Sequence, residues 1–111
     1  MSEARQATTI MIEPAPGWRG EAVHGERMTL ISYTIAAGSP EVHEHQHPEE
    51  EAWTVVEGEL ALVIGGEERI LRPGDAAIVG ANVPHRVRAV QATRAFVVDS
   101  PARLRLPGTG H

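Results

Sequence analysis

The chain has 111 residues, which is enough for one domain of ordinary size but not for two. It contains no cysteine, which excludes disulfides and thiolate-bound metals, and its net charge of −5 with scattered arginines excludes a basic surface for nucleic acid. No apolar run approaches the roughly 18 residues that span a bilayer, and the first residues lack an apolar signal core. We therefore expect a cytoplasmic protein without a membrane partner.

Short runs rich in valine, isoleucine, leucine and threonine, separated by 11 glycines and 8 prolines, predict an all-β protein. Residues 1–27 are predicted to form a strand and a loop, residues 28–98 a barrel core, and residues 99–111 an irregular tail. Short strands at this spacing indicate a sandwich or barrel. In chain order the predicted strands are Thr8–Glu13, Met28–Ala36, Val42–His47, Glu51–Glu57, Glu59–Ile64, Glu68–Leu71, Ala76–Val79, His85–Val90 and Arg94–Val98.

Three of the six histidines, His43, His45 and His47, lie within five residues. Alternate side chains of a β-strand share one face, so a strand here would point all three imidazoles the same way. Neutral imidazole is the commonest protein ligand for transition metals, and a nearby carboxylate suits the same ions. The segment therefore predicts a metal site built from nitrogen and oxygen.

Strand alternation also turns one histidine inward far downstream. In the strand that begins at His85, the residues on the same face are Val87 and Ala89, whereas Arg86 and Arg88 lie on the opposite face. The apolar residues would then face the core and the arginines would face water. His85 is therefore predicted to point into the interior.

The acidic run Glu49, Glu50 and Glu51 contains one carboxylate with the same inward pattern. Glu51 shares its face with Trp53 and Val55, so we expect it to point into the apolar interior. A buried, unpaired carboxylate is costly, whereas one bound to a divalent cation is compensated. The alternative is that the run is a solvated acidic turn.

These residues resemble the first motif of the small single-domain cupins, whose fold is an all-β double-stranded β-helix, or jelly-roll barrel. That motif, G-x5-H-x-H-x(3,4)-E-x6-G, is matched by Gly38, His45, His47, Glu51 and Gly58 with one extra residue after the first glycine. The resemblance implies a single cupin domain over residues 1–111.

The second cupin motif, G-x5-P-x-G-x2-H-x3-N, is matched more loosely. The segment from Val79 to Ala89 keeps His85, lacks the first proline, and has Ala89 where the motif has asparagine. Together the two motifs and the turns between them extend the resemblance over about residues 28–98.

The resemblance implies that His45, His47, Glu51 and His85 bind one divalent transition metal, which could be Fe, Mn, Ni, Zn or Cu. Two positions of an octahedron would stay open for water, substrate or dioxygen. His43 is expected on the same face, either at the barrel mouth or as a residue that orients a ligand or shuttles a proton, and a role as a metal ligand is the alternative. Glu51 and His43 are therefore the candidate catalytic residues.

Small-molecule cavities have mostly apolar walls, and the scarce aromatic residues are natural candidates for them. The wall of a substrate pocket is predicted to include Tyr33, Trp53, Leu62 and Phe96. Core packing is the alternative for Leu62 and Phe96. The remaining histidines, His24 in a predicted loop and His111 at the end of the chain, are expected to be exposed.

Functions from three classes remain open. The resemblance implies first an enzyme acting on a small oxygenated acid, sugar derivative or phenol, through dioxygenase-type or isomerase/lyase-type chemistry. The second is a barrel that binds or senses a small molecule without turnover, and the third is a structural or storage role. Exposed sheet edges also lead us to expect a homodimer.

The end of the chain resembles the pectin-degradation cupins that linearise unsaturated uronates. Those proteins carry Asp, Pro and Arg after the last barrel strand, as do Asp99, Pro101 and Arg103 here. This segment is two residues shorter and lacks their aromatic residue, and Glu51 stands where they usually have glutamine. The alternative is that Asp99 and Arg103 form a surface ion pair worth at most about 1 kcal/mol.

Overall fold

The structure, a computed structural model, describes residues 8–108. These residues form ten β-strands and no helix, which confirms the all-β prediction. No helix long and apolar enough to cross a membrane occurs in this part of the chain. The strands are β1 (Ile10–Ile12), β2 (Trp18–His24), β3 (Thr29–Ile35), β4 (Val42–His45), β5 (Glu50–Glu57), β6 (Leu60–Ile64), β7 (Glu67–Leu71), β8 (Ala76–Val79), β9 (His85–Ala89) and β10 (Thr93–Ser100).

The strands form two antiparallel sheets packed as a jelly-roll barrel. One sheet has six strands in the order β1-β2-β3-β10-β5-β8, and the other has four in the order β4-β9-β6-β7. Strands that are distant in sequence, such as β3 and β10, are therefore neighbours in space. Because alternate residues of each strand face the partner sheet, both sheets contribute to one core.

The core lies between the two sheets and is built from alternating apolar residues. In β3 and β10 every second residue is buried, and the residues between them are mostly exposed or half-buried. Each large side chain buried this way contributes about 1.5–3 kcal/mol of hydrophobic stabilisation. The most deeply buried apolar residues of the core include Ile12, Trp18, Ile31, Ile35, Leu60, Leu62, Val79, Val87 and Val97.

A strand replaces the loop predicted before residue 28. Strand β2 pairs with β3 along its whole length, from Trp18 opposite Ile35 to His24 opposite Thr29. Its inward positions include Gly20, where an added Cβ would lie 2.7 Å from Ile12. The strand lacks a run of large apolar residues, and this is why its sequence pattern did not indicate it.

The histidine expected in that loop ends β2 instead. The side chain of His24 is exposed, as expected, and its Nδ1 lies 2.7 Å from the hydroxyl of Thr29. His111 lies outside the described residues.

The tight turns follow the glycine pattern. Gly65 and Gly66 join β6 to β7 with φ angles of 57° and 84°, as a primed two-residue hairpin turn requires. Between β7 and β8, the backbone N–H of Asp75 donates to the carbonyl of Arg72 at 2.8 Å, which closes a second tight turn around Gly74.

The segment after β10, residues 101–108, contains no strand and folds back toward the start of the barrel. The N–H of Glu13 donates to the carbonyl of Gly108 at 3.3 Å, and the N–H of Arg103 donates to the Thr29 hydroxyl at 2.8 Å. We call residues 101–108 the C-terminal strap. It brings side chains from the end of the chain to the end of the barrel where Glu51 and Asp99 are paired in register.

We predict that replacing Gly58 with alanine destabilises the fold more than the same change at Gly66. Both have positive φ, which costs a residue with a Cβ about 1–2 kcal/mol. At Gly58 the added Cβ would also overlap the carbonyl of Ala92 and the backbone of Thr93, whereas at Gly66 nothing lies within 4 Å. Urea unfolding should show a larger loss of unfolding free energy for G58A than for G66A, and equal losses would contradict the packing argument.

Candidate metal centre

Three histidines from different parts of the chain converge at one end of the barrel. His45 lies directly opposite His85 across the β4–β9 pair, and His47 follows just beyond the end of β4. The ring centroids of His45 and His85 are 4.3 Å apart, and those of His47 and His85 are 5.0 Å apart. One ring nitrogen of each histidine lies within 4.8 Å of the others. This is one of two groups of potential metal ligands in the described residues, the other being His47, Glu51 and Asp99.

Backbone carbonyls select the tautomer that each of the three rings adopts in its neutral form. Each Nδ1 of the three histidines faces a nearby carbonyl oxygen, which can only accept, so the hydrogen of the neutral ring resides on Nδ1. This leaves the lone pair on Nε2, the nitrogen that faces the centre. The accepting carbonyls belong to His43, Glu49 and Val83, at 2.9, 3.1 and 2.9 Å respectively.

Two of the Nε2 atoms are buried without a hydrogen-bond partner among the described residues, those of His47 and His85. Each lies 3.3 Å from an oxygen of Glu51. An unsatisfied buried polar atom costs about 1–3 kcal/mol, and a cation bound by these lone pairs and the carboxylate would remove that cost. The donors therefore fit a divalent metal bound by nitrogen and oxygen.

Glu51 is 1% exposed, which excludes the solvated acidic turn at this position. Both of its oxygens already have protein donors. The indole Nε1–H of Trp53 donates to Oε1 at 2.8 Å, and NH1 of Arg103 donates to Oε2 at 3.2 Å. By contrast Glu50 is exposed and Glu49 is half-buried, so only one carboxylate of the acidic run enters the interior.

The surroundings of Glu51 determine its charge. Burial alone would raise the pKa of this carboxyl. Neighbouring side chains lower the pKa by more than burial raises it, so it lies well below its usual range. At His85 the neighbours also outweigh burial, but the shift has the other direction. Burial lowers the pKa of this imidazole, and contact with the Glu51 carboxylate helps to raise it above its ordinary value. At His45 burial prevails and lowers the pKa. The neighbours that lower the pKa of Glu51 are His47, His85, Asp99 and Trp53.

Two residues that sequence reasoning left outside the metal site lie against Glu51. Asp99 is 0% exposed and Arg103 is 8% exposed, so the surface ion pair considered for them is wrong. NH1 of Arg103 is 3.8 Å from Oδ2 of Asp99, and neither Asp99 oxygen has a hydrogen-bond partner in the described chain. Burial and the adjacent Glu51 charge raise the pKa of Asp99 to about 9.

The alternation rule could have found Asp99 but not Arg103. Asp99 follows Ala95 and Val97 at a spacing of two on the inner face of β10, the same pattern that indicated Glu51. Arg103 lies in the C-terminal strap, which has no strand period, so no spacing argument reaches it.

His43 does not join the cluster, although alternation predicted the same face for it. The pairing of β4 with β9 shifts register between Val42 and His45, and this irregularity breaks the alternation. The side chain of His43 is exposed. It contributes to the site through its backbone carbonyl, which accepts the Nδ1 hydrogen of His45.

A pocket of about 700 Å³ opens beside the histidines, and its wall includes His45, His47 and much of the C-terminal strap. A smaller space of about 20 Å³, which is enough for one water molecule, lies deeper in the barrel and is lined in part by Glu51. The histidine centre therefore borders an open pocket from which a small molecule could reach it.

Two of the four predicted pocket-wall residues line the inner space. The rings of Tyr33 and Trp53 stack there with centroids 5.9 Å apart, and burial raises the pKa of the Tyr33 phenol above its usual range. Leu62 is fully buried in the core and lines neither space. Phe96 also lines neither, because its neighbours Ala95 and Val97 face inward and place it on the outer face of the six-stranded sheet.

Comparison with known proteins points to one family. Residues 31–100 match the Cupin domain family. A search of curated proteins found no match.

Solved structures show the same fold. An RmlC-like cupin from Shewanella frigidimarina is 21% identical with a TM-score of 0.79, and the match covers 94% of this chain and 97% of that one. KdgF from Halomonas sp. is 24% identical with a TM-score of 0.77, covering 86% and 88%. Oxalate decarboxylase from Bacillus subtilis, studied for its Mn(II) centres, is 16% identical with a TM-score of 0.76, and the match covers 95% of this chain but 32% of that one.

We predict that His47→Ala and His85→Ala each lose bound metal, because each removes an imidazole whose Nε2 faces the centre. His43→Ala is the matched control, since its side chain is exposed and its carbonyl is retained. Metal content should be measured by elemental analysis on protein purified without chelator or a nickel column. The metal affinity of the two variants should fall at least about tenfold, because even the loss of a residue that only hydrogen-bonds a metal ligand costs about 10–100-fold in metal affinity. Stoichiometric metal in both variants would refute the ligand assignment.

Proposed function

The chain belongs to the cupin family, and we propose that it is a metal-dependent enzyme acting on a small oxygenated organic molecule. The proposed ligands are His45, His47, His85 and Glu51. The observation that carries the proposal is a pair of buried Nε2 atoms that face a buried carboxylate and have no hydrogen-bond partner among residues 8–108. When bound, a divalent ion such as Fe, Mn, Ni, Zn or Cu supplies Lewis-acid polarisation of a substrate oxygen or, if redox-active, activation of dioxygen.

The histidines are held ready for this role by the backbone. Their Nδ1 hydrogens are bound by carbonyl oxygens, so the rings need no change of tautomer and little reorientation to present Nε2. Such preorganisation lowers the cost of binding, because the donors are ordered before the ligand arrives. The adjoining pocket of about 700 Å³ has the size of a small-molecule site.

Glu51 fits the role of ligand better than that of base. Its pKa lies well below the usual range, and a weakly basic carboxylate is a poor proton acceptor at neutral pH. Proton uptake by Glu51 would require the loss of donors such as Arg103, which contacts Oε2 at 3.2 Å. The exposed position of His43 gives no support to a catalytic role for its side chain.

The reaction class is open between dioxygenase-type and isomerase/lyase-type chemistry. One observation favours a specific form of the second, the linearisation of unsaturated uronates. Asp99 and Arg103, the residues that resemble those of the uronate-linearising cupins, are buried against Glu51. The non-catalytic alternative, a barrel that binds or senses a small molecule, uses the same pocket without turnover.

We predict that chelation abolishes turnover and that one divalent ion restores it. Two assays separate the reaction classes, namely dioxygen uptake with a flavonol and loss of ultraviolet absorbance of an unsaturated uronate. Activity should fall at least about a hundredfold in His85→Ala and stay near the original level in His43→Ala, since a transition-state contact is worth several kcal/mol. Saturable binding of these compounds to the metal-loaded protein without turnover would instead support the binding role.

The homodimer and the cytoplasmic location stay predictions. Within the described residues, β1 and β8 are the outer strands of one sheet, and β4 and β7 those of the other. Each presents an edge at which a second copy could pair.

A further inference from the structure

Arg103 is a nearly buried cation with few partners. Its backbone N–H is bound to the hydroxyl of Thr29 at 2.8 Å, which fixes the start of the side chain. Within the described chain, the hydrogen bond and ion pairs of the guanidinium all involve NH1, which lies 3.2 Å from Glu51 and 3.8 Å from Asp99. The second distance is too long for a hydrogen bond. A guanidinium has five donors, and none of the Arg103 nitrogens is among the buried atoms without a partner, so its remaining donors are open to water or to a ligand.

The remaining donors lie beside the site. Arg103 lines both the outer pocket of about 700 Å³ and the inner space of about 20 Å³, and His45 lines both as well. The ionisable residues that line the outer pocket besides the two histidines are Arg103, Arg105 and Glu49. A ligand in the outer pocket could therefore contact the guanidinium and the histidine centre together.

Metal binding would leave Arg103 short of an anion. Oε2 of Glu51 is 3.2 Å from NH1 of Arg103 and 3.3 Å from Nε2 of His47, so the same oxygen serves the arginine and faces the proposed centre. A carboxylate drawn to a divalent cation gives up part of its interaction with the arginine. A guanidinium does not lose its proton in proteins, and the other carboxyl beside it, Asp99, is 3.8 Å away and beyond hydrogen-bond distance, so a ligand carboxylate in the outer pocket would supply a closer anion.

We propose that Arg103 binds the carboxylate of a small ligand in the outer pocket, while a second polar group of that ligand reaches the histidine centre. This inference rests on the metal enzyme proposed above and specifies its substrate class. A planar carboxylate matches the guanidinium fork with two parallel hydrogen bonds, which a neutral amide cannot make. Metal and carboxylate then bind cooperatively, because the ion takes Glu51 and the ligand replaces it at Arg103.

The two tryptophans give a direct probe of binding. Trp18 and Trp53 are the chain's only tryptophans, and both line the inner space next to Arg103. Fluorescence titrations would use benzoate and acetate, with benzamide and acetamide as neutral counterparts and inorganic phosphate as a competing anion. Each would be run on metal-loaded and on chelator-treated protein after the metal content has been measured. The variants are Arg103→Met, Arg103→Lys and the control Arg105→Met, whose arginine also lines the outer pocket but is exposed.

We expect at least one carboxylate to bind the original protein and R105M with similar affinity and at least tenfold more tightly than its amide. R103M should lose at least tenfold in affinity, R103K should lose less, and metal should tighten carboxylate binding in the original protein but not in R103M. Thermal unfolding identifies variants that fail to fold. If R103M is one of them, R103K still tests the role of Arg103.

Other outcomes would overturn the inference. These are equal carboxylate affinity in R103M and the original protein, metal-dependent tightening that persists in R103M, tighter binding of phosphate than of carboxylate, or no saturable carboxylate binding. Failure of the proposed function would look different, because the protein would then hold no metal. In that case, carboxylate titrations of the chelator-treated original protein and of chelator-treated R103M still decide whether Arg103 binds a carboxylate.

Discussion

A single buried carboxylate is the constraint on which this site depends. An ionised group enclosed in a barrel would be strongly destabilising by itself, so Glu51 requires donors on several sides. The donors are Trp53, two residues along β5, and Arg103, after β10, and the imidazoles of His47 and His85, just beyond β4 and at the start of β9, lie 3.3 Å from the carboxylate oxygens. The need to solvate one charge thus joins both sheets and the C-terminal strap at one end of the barrel.

The sheets position four of the groups in this site by register, whereas His47 and Arg103 lie outside the strands. His45 and His85 are cross-strand partners, and Glu51 and Asp99 are cross-strand partners in the other sheet. Each pair is held by a ladder of backbone hydrogen bonds, which positions side chains more precisely than a loop does. The backbone also sets the chemistry of the rings, because carbonyl oxygens hold the Nδ1 hydrogens and direct the lone pairs inward.

Much of the fold and part of the site follow from the period of two in β-strands. That period correctly turned Glu51 and His85 inward, and the adjacent glycines Gly65 and Gly66 are typical of the tight turn that joins β6 to β7. It failed at His43, where a register shift interrupts the alternation, and at β2, whose inward positions include glycine and alanine. Arg103 was out of reach, since its place depends on how a segment without secondary structure folds back onto the barrel.

The C-terminal strap has a consequence for how such a barrel can diversify. The histidines and Glu51 lie on or beside paired strands, where an insertion would displace whole ladders. Residues 101–108 form much of the pocket wall and belong to no ladder, so apart from Arg103, which donates to Glu51, they can vary without disturbing the strands that carry the proposed ligands. Most of the pocket wall and the proposed ligands are thereby encoded in separate stretches of one short polypeptide, and a lineage can exchange much of one while it preserves the other.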